Sequence, residues 1–400
     1  MKNLSVVEAR ARILANAGPG PTEQVPLMQG FGRVLAEDIK AIRDQPPFRA
    51  SAMDGWAIRA ADALDTEVSL RIAGESAAGH GYEATLQPGE AVRIFTGAPV
   101  PEGADHVVIQ EEATREGDRV RLGPFAHPRN IRAAAGDFAA GDVLLQRGMR
   151  LDPWRLSLAA SAGAALLRCA PRPRVAILAT GEELAPPGTV PGPWAIFESN
   201  SQGLSAWAAA LAAQVERLAP AGDNEDAIAA AVAGTSAELV VTVGGASVGD
   251  HDLVKPALAR LGLVQTVGSV TLRPGKPTWF GTLADGRRVL GLPGNPASAF
   301  VCAELFLRPL ILALQGAEPG PAMLKARLAA PLAGNGPREH WMRAQLSHGE
   351  DGVLTATPFS EQDSSMVGVL ARADALLRRP IEAPAATAGD MVDVLRLDRL

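Results

Sequence analysis

The chain has 400 residues, more than one hydrophobic core usually serves, so about two to four domains are expected. Its formal net charge of −6, with 47% apolar and 20% charged residues, is typical of an ordinary globular chain. This balance argues against nucleic acid or an acidic membrane as a partner, although a local basic site can still bind a small anion.

The cysteines and the N-terminus indicate the cellular setting. Cys169 and Cys302 are far apart and form no Cys-x-x-Cys pair, so we expect two buried thiols rather than a disulfide or a zinc site. The N-terminal segment interrupts its apolar pattern with charges, unlike a signal peptide, which favours a cytoplasmic protein. No transmembrane helix is predicted, because Glu304, Arg308 and Pro309 break the longest apolar stretch.

The first 171 residues predict an interrupted domain. Residues 5–65 indicate helices joined by an extended segment, whose two prolines place Asp54 in a loop. Short β-type runs rich in Gly and Pro then follow from 66 to 148, which predicts an inserted β-rich module. A helix over 153–168 ends this part of the chain.

Strands and helices alternate in the next part. Strands are predicted over 174–179, 215–218 and 239–243, and helices over 202–214, 223–233, 253–261 and 296–314. This alternation predicts a parallel sheet with helices on both faces, which binds ligands beyond the carboxyl ends of its strands. The last eighty residues return to β-type segments and predict a small barrel.

The fold class predicted is therefore α/β multidomain, with a three-layer parallel-type sheet domain, a β-rich inserted module and a C-terminal small β-barrel. The predicted boundaries are an N-terminal helical and extended domain over 1–50 and 149–171, the inserted module over 51–148, the α/β domain over 172–316 and the barrel over 317–400.

The stretch "VVTVGGASVGDHD" has more than one interpretation. Gly245 to Gly249 fits the G-x-S-x-G pattern of a serine hydrolase, but His251 lies only four residues beyond Ser247 on the same loop. Alternatively, Gly244, Gly245 and Ser247 form a phosphate-binding turn. Asp250 and Asp252 then fit beside an anion if Mg²⁺ bridges them to it. A plain turn, with Asp252 as a helix N-cap, also remains open.

Two later motifs also favour anion binding. "RPGKP" holds Arg273 and Lys276 in a stiff turn, and the compact ammonium of lysine suits an oxyanion. "GLPGNPASA" places Asn295 and Ser298 at the start of an apolar helix, where backbone donors can face an anion. A solvated turn charge and a plain helix start are the simpler interpretations.

Seven motifs, in this order, together resemble the MoeA-type molybdopterin molybdenumtransferases, a family similar to the E domain of gephyrin. They are "SAMDGWA", "RIFTGAPVPEGADHVVIQEE", "NIRAAAGD", "ATGEEL", "GGASVGDHD", "RPGKP" and "GLPGNPASA". The resemblance implies four domains, with a molybdopterin-binding sheet domain similar to the MogA-type adenylyltransferase that acts one step earlier. It also implies a homodimer in which the inserted module of one subunit faces the sheet domain of the other.

The activity that the resemblance implies is insertion of molybdate into adenylylated molybdopterin, with loss of AMP and a requirement for Mg²⁺. It implies that Asp54, Thr96, Arg132 and Asp137 approach the site from the partner subunit. Metal and pterin-nucleotide binding would fall to Glu183, Asp223, Asp250 and Asp252, with the two last as metal ligands. The oxyanion would be held by Ser247, Arg273, Lys276, Arg343, Ser364 and Ser365. The roles implied as catalytic are those of Asp54, Thr96, Glu183, Asp223, Asp252 and Lys276.

Molybdopterin adenylyltransferase and apo-molybdoenzymes or their chaperones are the partners that the resemblance implies. Two alternatives to the main prediction remain: another pterin-nucleotide enzyme and, from a different class, a scaffold. An adenylyltransferase-type activity would need only a single sheet domain, whereas a gephyrin-like scaffold binding partner peptides would need further linkers or domains.

Overall fold

A computed structural model of the chain describes residues 3–63, 66–125, 127–245, 253–318, 320 and 323–397. The inserted module is built on one six-stranded sheet, which is antiparallel except where Val68–Ser76 pairs with Glu90–Ile94. Its strands, in spatial order, are His106–Ile109, Gly55–Ile58, Glu90–Ile94, Val68–Ser76, Arg119–Leu122 and Ala113–Glu116. Two single-turn 3-10 helices, Ala60–Asp62 and Gln110–Glu112, join these strands. The predicted β-rich module is thereby confirmed.

The chain segments before and after the module pair with each other in three short antiparallel ladders. Glu23–Pro26 pairs with Leu166–Cys169, Ile39–Lys40 with Val143–Leu145, and Ala50–Ser51 with Ile131–Arg132. The 3-10 turn Leu27–Gln29 and the helix Pro153–Ser161 pack beside them. The predicted helix over 153–168 was too long, because the chain turns at Gly163 (φ +92°) into the strand Leu166–Cys169.

The α/β domain has a six-stranded sheet whose neighbours, in order, are Gln214–Arg217, Arg174–Ala179, Leu239–Val243, Arg288–Leu292, Trp279–Thr282 and Val264–Val267. The first four strands are parallel, and the last two pair antiparallel. The predicted parallel-type sheet is confirmed, and the structure adds an antiparallel edge, where a short loop turns Trp279–Thr282 directly into Arg288–Leu292. Such hairpins need no crossover helix.

Helices cover both faces of this sheet. They are Asn200–Ala210, Glu225–Gly234, Val254–Ala259, Pro296–Cys302 and Arg308–Leu314, the last two joined by a π-helical turn, Ala303–Leu307. Side chains alternate along Arg174–Ala179, with Val175 and Ile177 in one core and Ala176 and Leu178 in the other. A small parallel pair, Leu184–Ala185 with Ile196–Phe197, stands beside the sheet.

The N-terminal helix Val6–Leu14 belongs physically to the α/β domain. Ser5 caps it, accepting from the Glu8 amide while the Glu8 carboxylate accepts from the Ser5 amide. Its buried face, Val6, Ala9 and Ile13, packs into the same core as Val175 and Ile177.

The C-terminal region is a closed barrel of five strands, Leu324–Leu328, Glu339–His348, Leu354–Pro358, Ala375–Arg379 and Met391–Arg396, with the helix Val367–Arg372 between two of them. Pairing of Glu339–His348 with Ala375–Arg379 closes it, which confirms the predicted small barrel. The short strand Leu272–Arg273 of the preceding domain pairs in parallel with Glu339–His340. This ladder joins the α/β domain to the barrel beside the RPGKP turn.

Among the described residues, one helical stretch, Pro296–Leu314, is long and apolar enough to cross a membrane by length and composition alone. Of its most apolar window, 83% is buried inside the fold, which is what a core helix also shows. Both cysteines are buried thiols, as predicted, and burial raises the pKa of Cys302 to about 12.

Candidate active site

Three loops that follow parallel strands meet in close backbone contact at one edge of the sheet. Thr180 donates its amide to Val243 O at 3.0 Å, and Gly244 donates to Leu292 O at 3.2 Å. A Cβ on Gly244 would lie 2.5 Å from Thr180 O, and Gly244 has a φ of +102°. Only glycine fits such an approach in the left-handed region. These contacts define a strand-end cradle formed by Thr180, Gly181, Gly244, Gly245 and Gly294.

Polar side chains surround the strand-end cradle. Asn200 Nδ2 donates to Gly294 O at 2.6 Å and ties the helix Asn200–Ala210 to it. The Glu183 carboxylate lies against Gly181, since a Cβ on that glycine would meet Glu183 Oε2 at 2.5 Å. Asp223 is exposed and follows the neighbouring strand at the same edge. Within the described residues, the buried Thr180 hydroxyl has no hydrogen-bond partner.

A cavity of about 330 Å³ lies beyond the cradle, between the α/β domain and the barrel. Its walls come from four segments of the chain, and the lining residues are Arg273, Pro274, Gly275, Lys276, Pro277, Pro293, Asn295, Ser298, Arg338, Gln362, Asp363 and Ser364. We call it the oxyanion cavity. It brings together five of the residues predicted from the RPGKP and GLPGNPASA motifs and from the last domain.

The turn that carries Lys276 packs against two buried side chains, Cys302 and Thr278. Gly275 has a φ of +116°, and a Cβ there would clash with the buried Cys302 Sγ. Thr278 Oγ1 donates to Gly275 O at 2.8 Å. The thiol packed against Gly275 and the hydroxyl bonded to its carbonyl therefore hold the backbone between Arg273 and Lys276 in place.

The barrel side of the oxyanion cavity is a short loop docked on the helix start. Asn295 Nδ2 donates to Ser364 Oγ at 2.9 Å, and the Ala297 amide donates to Ser364 O at 2.9 Å. Ser365 donates its amide and its hydroxyl to Asp363 Oδ1, at 2.8 and 2.6 Å. These bonds, the hydroxyl's first, hold the pKa of Asp363 below its usual value, so its carboxylate stays ionised and engaged.

Arg343 lies behind this wall rather than in it. Its side chain is fully buried, and Nη2 donates to Asp363 O at 2.9 Å while its amide donates to Gln362 Oε1 at 3.0 Å. Its other two guanidinium nitrogens, Nε and Nη1, are buried and have no hydrogen-bond partner within the part of the chain that is described. Arg343 thus holds the loop that lines the cavity by its bonds to Gln362 and Asp363. Ser365 stabilises the same loop by its bonds to the Asp363 carboxylate.

The oxyanion cavity carries an excess of positive charge. Three cations, Arg273, Lys276 and Arg338, line it with one carboxylate, Asp363, and no described residue forms an ion pair with any of the three. Burial, followed by Arg273, Arg343, Arg338 and Arg379, lowers the pKa of His340 to about 4. Burial and then the guanidinium charge keep this imidazole neutral at pH 7, and the same charge favours a bound anion.

Asp54 and Thr96 form a pair at the exposed surface of the inserted module. Asp54 Oδ1 accepts from the Thr96 amide at 2.7 Å and from its hydroxyl at 2.8 Å. These two bonds lower the pKa of Asp54, so it is a carboxylate at neutral pH. A Cβ on Gly55 would overlap Val108 O, which explains the Asp-Gly sequence here.

Arg132 and Asp137 belong to the same module surface. Arg132 pairs with Ala50 beside this loop, and both Arg132 and Asp137 are exposed. Neither of these two residues, nor Asp54 or Thr96, lines the oxyanion cavity of the same chain.

Three predicted site residues, Ser247, Asp250 and Asp252, lie outside the described residues. Sequence reasoning missed Arg338, Gln362 and Asp363, which also line the cavity. Arg338 sits just before a strand, where a solvated charge is the ordinary interpretation, and only the pairing of Arg273 with His340 brings it to the site.

Family comparisons cover nearly the whole chain. The MoeA N-terminal region (domains I and II) matches residues 4–163, a probable molybdopterin binding domain matches 176–313, and the MoeA C-terminal region (domain IV) matches 325–397. Molybdopterin molybdenumtransferase 2 of Mycobacterium tuberculosis is 37% identical over 384 residues, covering 92% of this chain and 94% of the relative. The chain belongs to the molybdopterin molybdenumtransferase family.

Other members agree with this assignment. The molybdopterin molybdenumtransferase of Haemophilus influenzae is 37% identical over 318 residues, covering 78% of each chain. The crystal structure of the molybdopterin biosynthesis MoeA protein from Pyrococcus horikoshii OT3 superimposes with a TM-score of 0.82 at 27% identity, covering 99% of this chain and all of that one. The strand-end cradle lies within the residues that match the probable molybdopterin binding domain, and the oxyanion cavity is lined by residues from that match and from the domain IV match.

Proposed function

We propose that this transferase inserts molybdate into adenylylated molybdopterin and releases AMP. The observation that carries the proposal is the oxyanion cavity, where cations without carboxylate partners among the described residues adjoin a glycine cradle at the strand ends. The cradle suits the phosphates of a nucleotide, because glycine lets backbone N–H groups approach them closely. The cavity suits a small oxyanion.

Within the cavity, the residues have separate tasks. Molybdate carries two negative charges, so Lys276 and Arg273 offset the cost of removing its water. Ser298 and Ser364 also line the cavity, and their hydroxyls can donate to the oxygens of molybdate. The Asn295–Ser364 bond keeps the two walls together, so that the anion is held next to the cradle.

Mg²⁺ is the metal that we propose for the reaction. No three His, Cys, Asp or Glu side chains assemble into a metal site among the described residues. Mg²⁺ needs only one or two carboxylates beside substrate phosphates, and the exposed Glu183 and Asp223 stand at the cradle's edge. Asp250 and Asp252 remain the predicted ligands. When bound, the ion polarises the phosphate group that is cleaved.

We also propose that the enzyme is a cytoplasmic homodimer and that Asp54 serves the partner's site. Large apolar side chains are exposed on the N-terminal domain, including Met28 (90%), Phe31 (62%) and Trp154 (82%). Exposed apolar clusters of this kind mark protein interfaces. Adenylyltransferase and apo-molybdoenzymes or their chaperones are the proposed further partners. The adenylyltransferase and scaffold alternatives are less well supported, since the curated relatives matched along the chain are named molybdenumtransferases.

The direct test incubates the purified protein with adenylylated molybdopterin, Mg²⁺ and molybdate. AMP release that depends on molybdate is expected, measured by chromatography of the nucleotide. Sulfate in place of molybdate is the control for a general anion effect. A folded protein that releases no AMP in response to molybdate would contradict the proposed function.

Mixed dimers test whether Asp54 acts across the subunit interface. Asp54→Asn and Lys276→Ala are each expected to be nearly inactive, whereas co-expression should restore activity, because one site of each mixed dimer then has both residues. Random pairing gives about half mixed dimers, so roughly a quarter of wild-type AMP release is expected. Recovery no greater than the sum of the two variants alone would place Asp54 and Lys276 in sites formed by one chain.

A further inference from the structure

Arg338 is a cation of the oxyanion cavity that comes from the barrel and that no motif singled out. It directly precedes the strand Glu339–His348 and lines the cavity together with Arg273 and Lys276. The parallel ladder pairs Arg273 with His340, and Glu339 donates its amide to Thr271 O at 3.1 Å. These contacts bring the backbone of Arg338 next to the RPGKP turn.

The main chain at Arg338 is held in one place by the barrel. Asn335 Nδ2 donates to Arg338 O at 2.9 Å, and also to Arg379 O and Pro380 O at 3.2 and 2.7 Å. The Glu382 amide donates to Gly336 O at 3.0 Å. A cation on a fixed backbone loses less freedom when it binds an anion, so this arrangement favours binding.

The carboxylates near Arg338 are already engaged. Glu339 faces the opposite way, bonding Arg378 Nε and Trp341 Nε1 at 3.0 Å each. Asp363 accepts from Ser365, and in the described parts of the chain no ion pair involves Arg338. The guanidinium is therefore available to a ligand. Its charge contributes to lowering the pKa of His340, after burial and the charges of Arg273 and Arg343.

We propose that Arg338 is a further oxyanion-binding residue, which sets the affinity of the enzyme for its doubly charged oxyanion. The planar guanidinium can donate to two oxygens of one tetrahedral anion, whereas Lys276 supplies a point charge from the other wall. The anion then bridges the α/β domain and the barrel. This inference rests on the proposed function, because it deepens the role of the same cavity.

The test compares Arg338→Gln and Arg338→Lys with Arg396→Gln, an exposed arginine of the same barrel that does not line the cavity. We expect Arg338→Gln to raise the molybdate KM for AMP release by about tenfold, with kcat within about threefold of wild type. Arg338→Lys should recover part of the affinity, and Arg396→Gln should match wild type. All three variants should melt at the wild-type temperature.

Equal KM values for Arg338→Gln and Arg396→Gln would overturn the inference. A fall in kcat together with the melting temperature, without a change in KM, would also overturn it, because that pattern indicates a structural role. A calorimetric titration of the protein with molybdate alone separates the role proposed for Arg338 from the proposed function. If wild type binds molybdate more tightly than Arg338→Gln but releases no AMP, the proposed function fails while the assignment of Arg338 stands.

Discussion

Lys276→Ala should lower kcat/KM for molybdate by about 100-fold, the largest effect expected from a single side chain of the oxyanion cavity. The ammonium lies on a turn fixed by Gly275, Thr278 and Cys302, and no described carboxylate shares its charge. Loss of a charge-assisted hydrogen bond to the bound anion costs about 1.5–3 kcal/mol, and tenfold in rate corresponds to about 1.4 kcal/mol. Steady-state AMP release at varied molybdate concentration measures the change.

Lys40→Ala is the matched control, because Lys40 is an exposed lysine on the short strand Ile39–Lys40, away from the oxyanion cavity. It should keep wild-type kcat/KM, and both variants should keep the wild-type melting temperature. Lys276→Arg retains the charge and should keep part of the activity. A Lys276→Ala enzyme with an unchanged molybdate KM would remove Lys276 from the anion site.

Gly244→Ala should destabilise the fold by about 2–5 kcal/mol and abolish AMP release. The left-handed backbone at Gly244 costs an alanine about 1–2 kcal/mol, and overpacking adds about 1–3 kcal/mol. The overpacking arises because the new methyl group would lie 2.5 Å from Thr180 O. The two loops would move apart, and the strand-end cradle would lose its shape. Chemical denaturation gives the free energy of unfolding.

Gly286→Ala separates the two contributions to this effect. Gly286 also has a positive φ, +86°, but a Cβ there would meet no described atom within 4 Å. It should lose only the backbone part, about 1–2 kcal/mol, and should retain activity. If the two variants lost equal stability, the close contact between Gly244 and Thr180 would not be a determinant of the fold.

Local patterns were sufficient to predict much of the α/β domain. The strands Arg174–Ala179 and Leu239–Val243 were predicted with their observed bounds, because both are continuous apolar runs between polar segments. The helices were found but ended up to four residues away from their predicted limits, as with Asn200–Ala210. Helix ends depend on caps and packing, which a periodic pattern does not locate.

The residues of the candidate site also fall into those that local patterns predicted and those that they did not. Glycine and proline turns identified Lys276, Asn295 and Gly244, because such turns are local and carry their own backbone requirements. Arg338 and Asp363 were missed, since nothing near them in sequence distinguishes them from solvated surface charges. Arg343 was expected to hold the anion, yet its side chain lies behind the cavity wall.

The sequence by itself determined most strands and helices of the α/β domain, the β-rich character of the module and of the last region, and the glycine-rich loops, because each follows from periodicity and local backbone chemistry. Only the tertiary structure decided that the helix Val6–Leu14 joins the distant α/β core, that the last two strands of its sheet pair antiparallel, and that the barrel supplies Arg338 to the cavity. These features depend on contacts between residues far apart in the chain, and no local pattern specifies which distant surface a segment will meet.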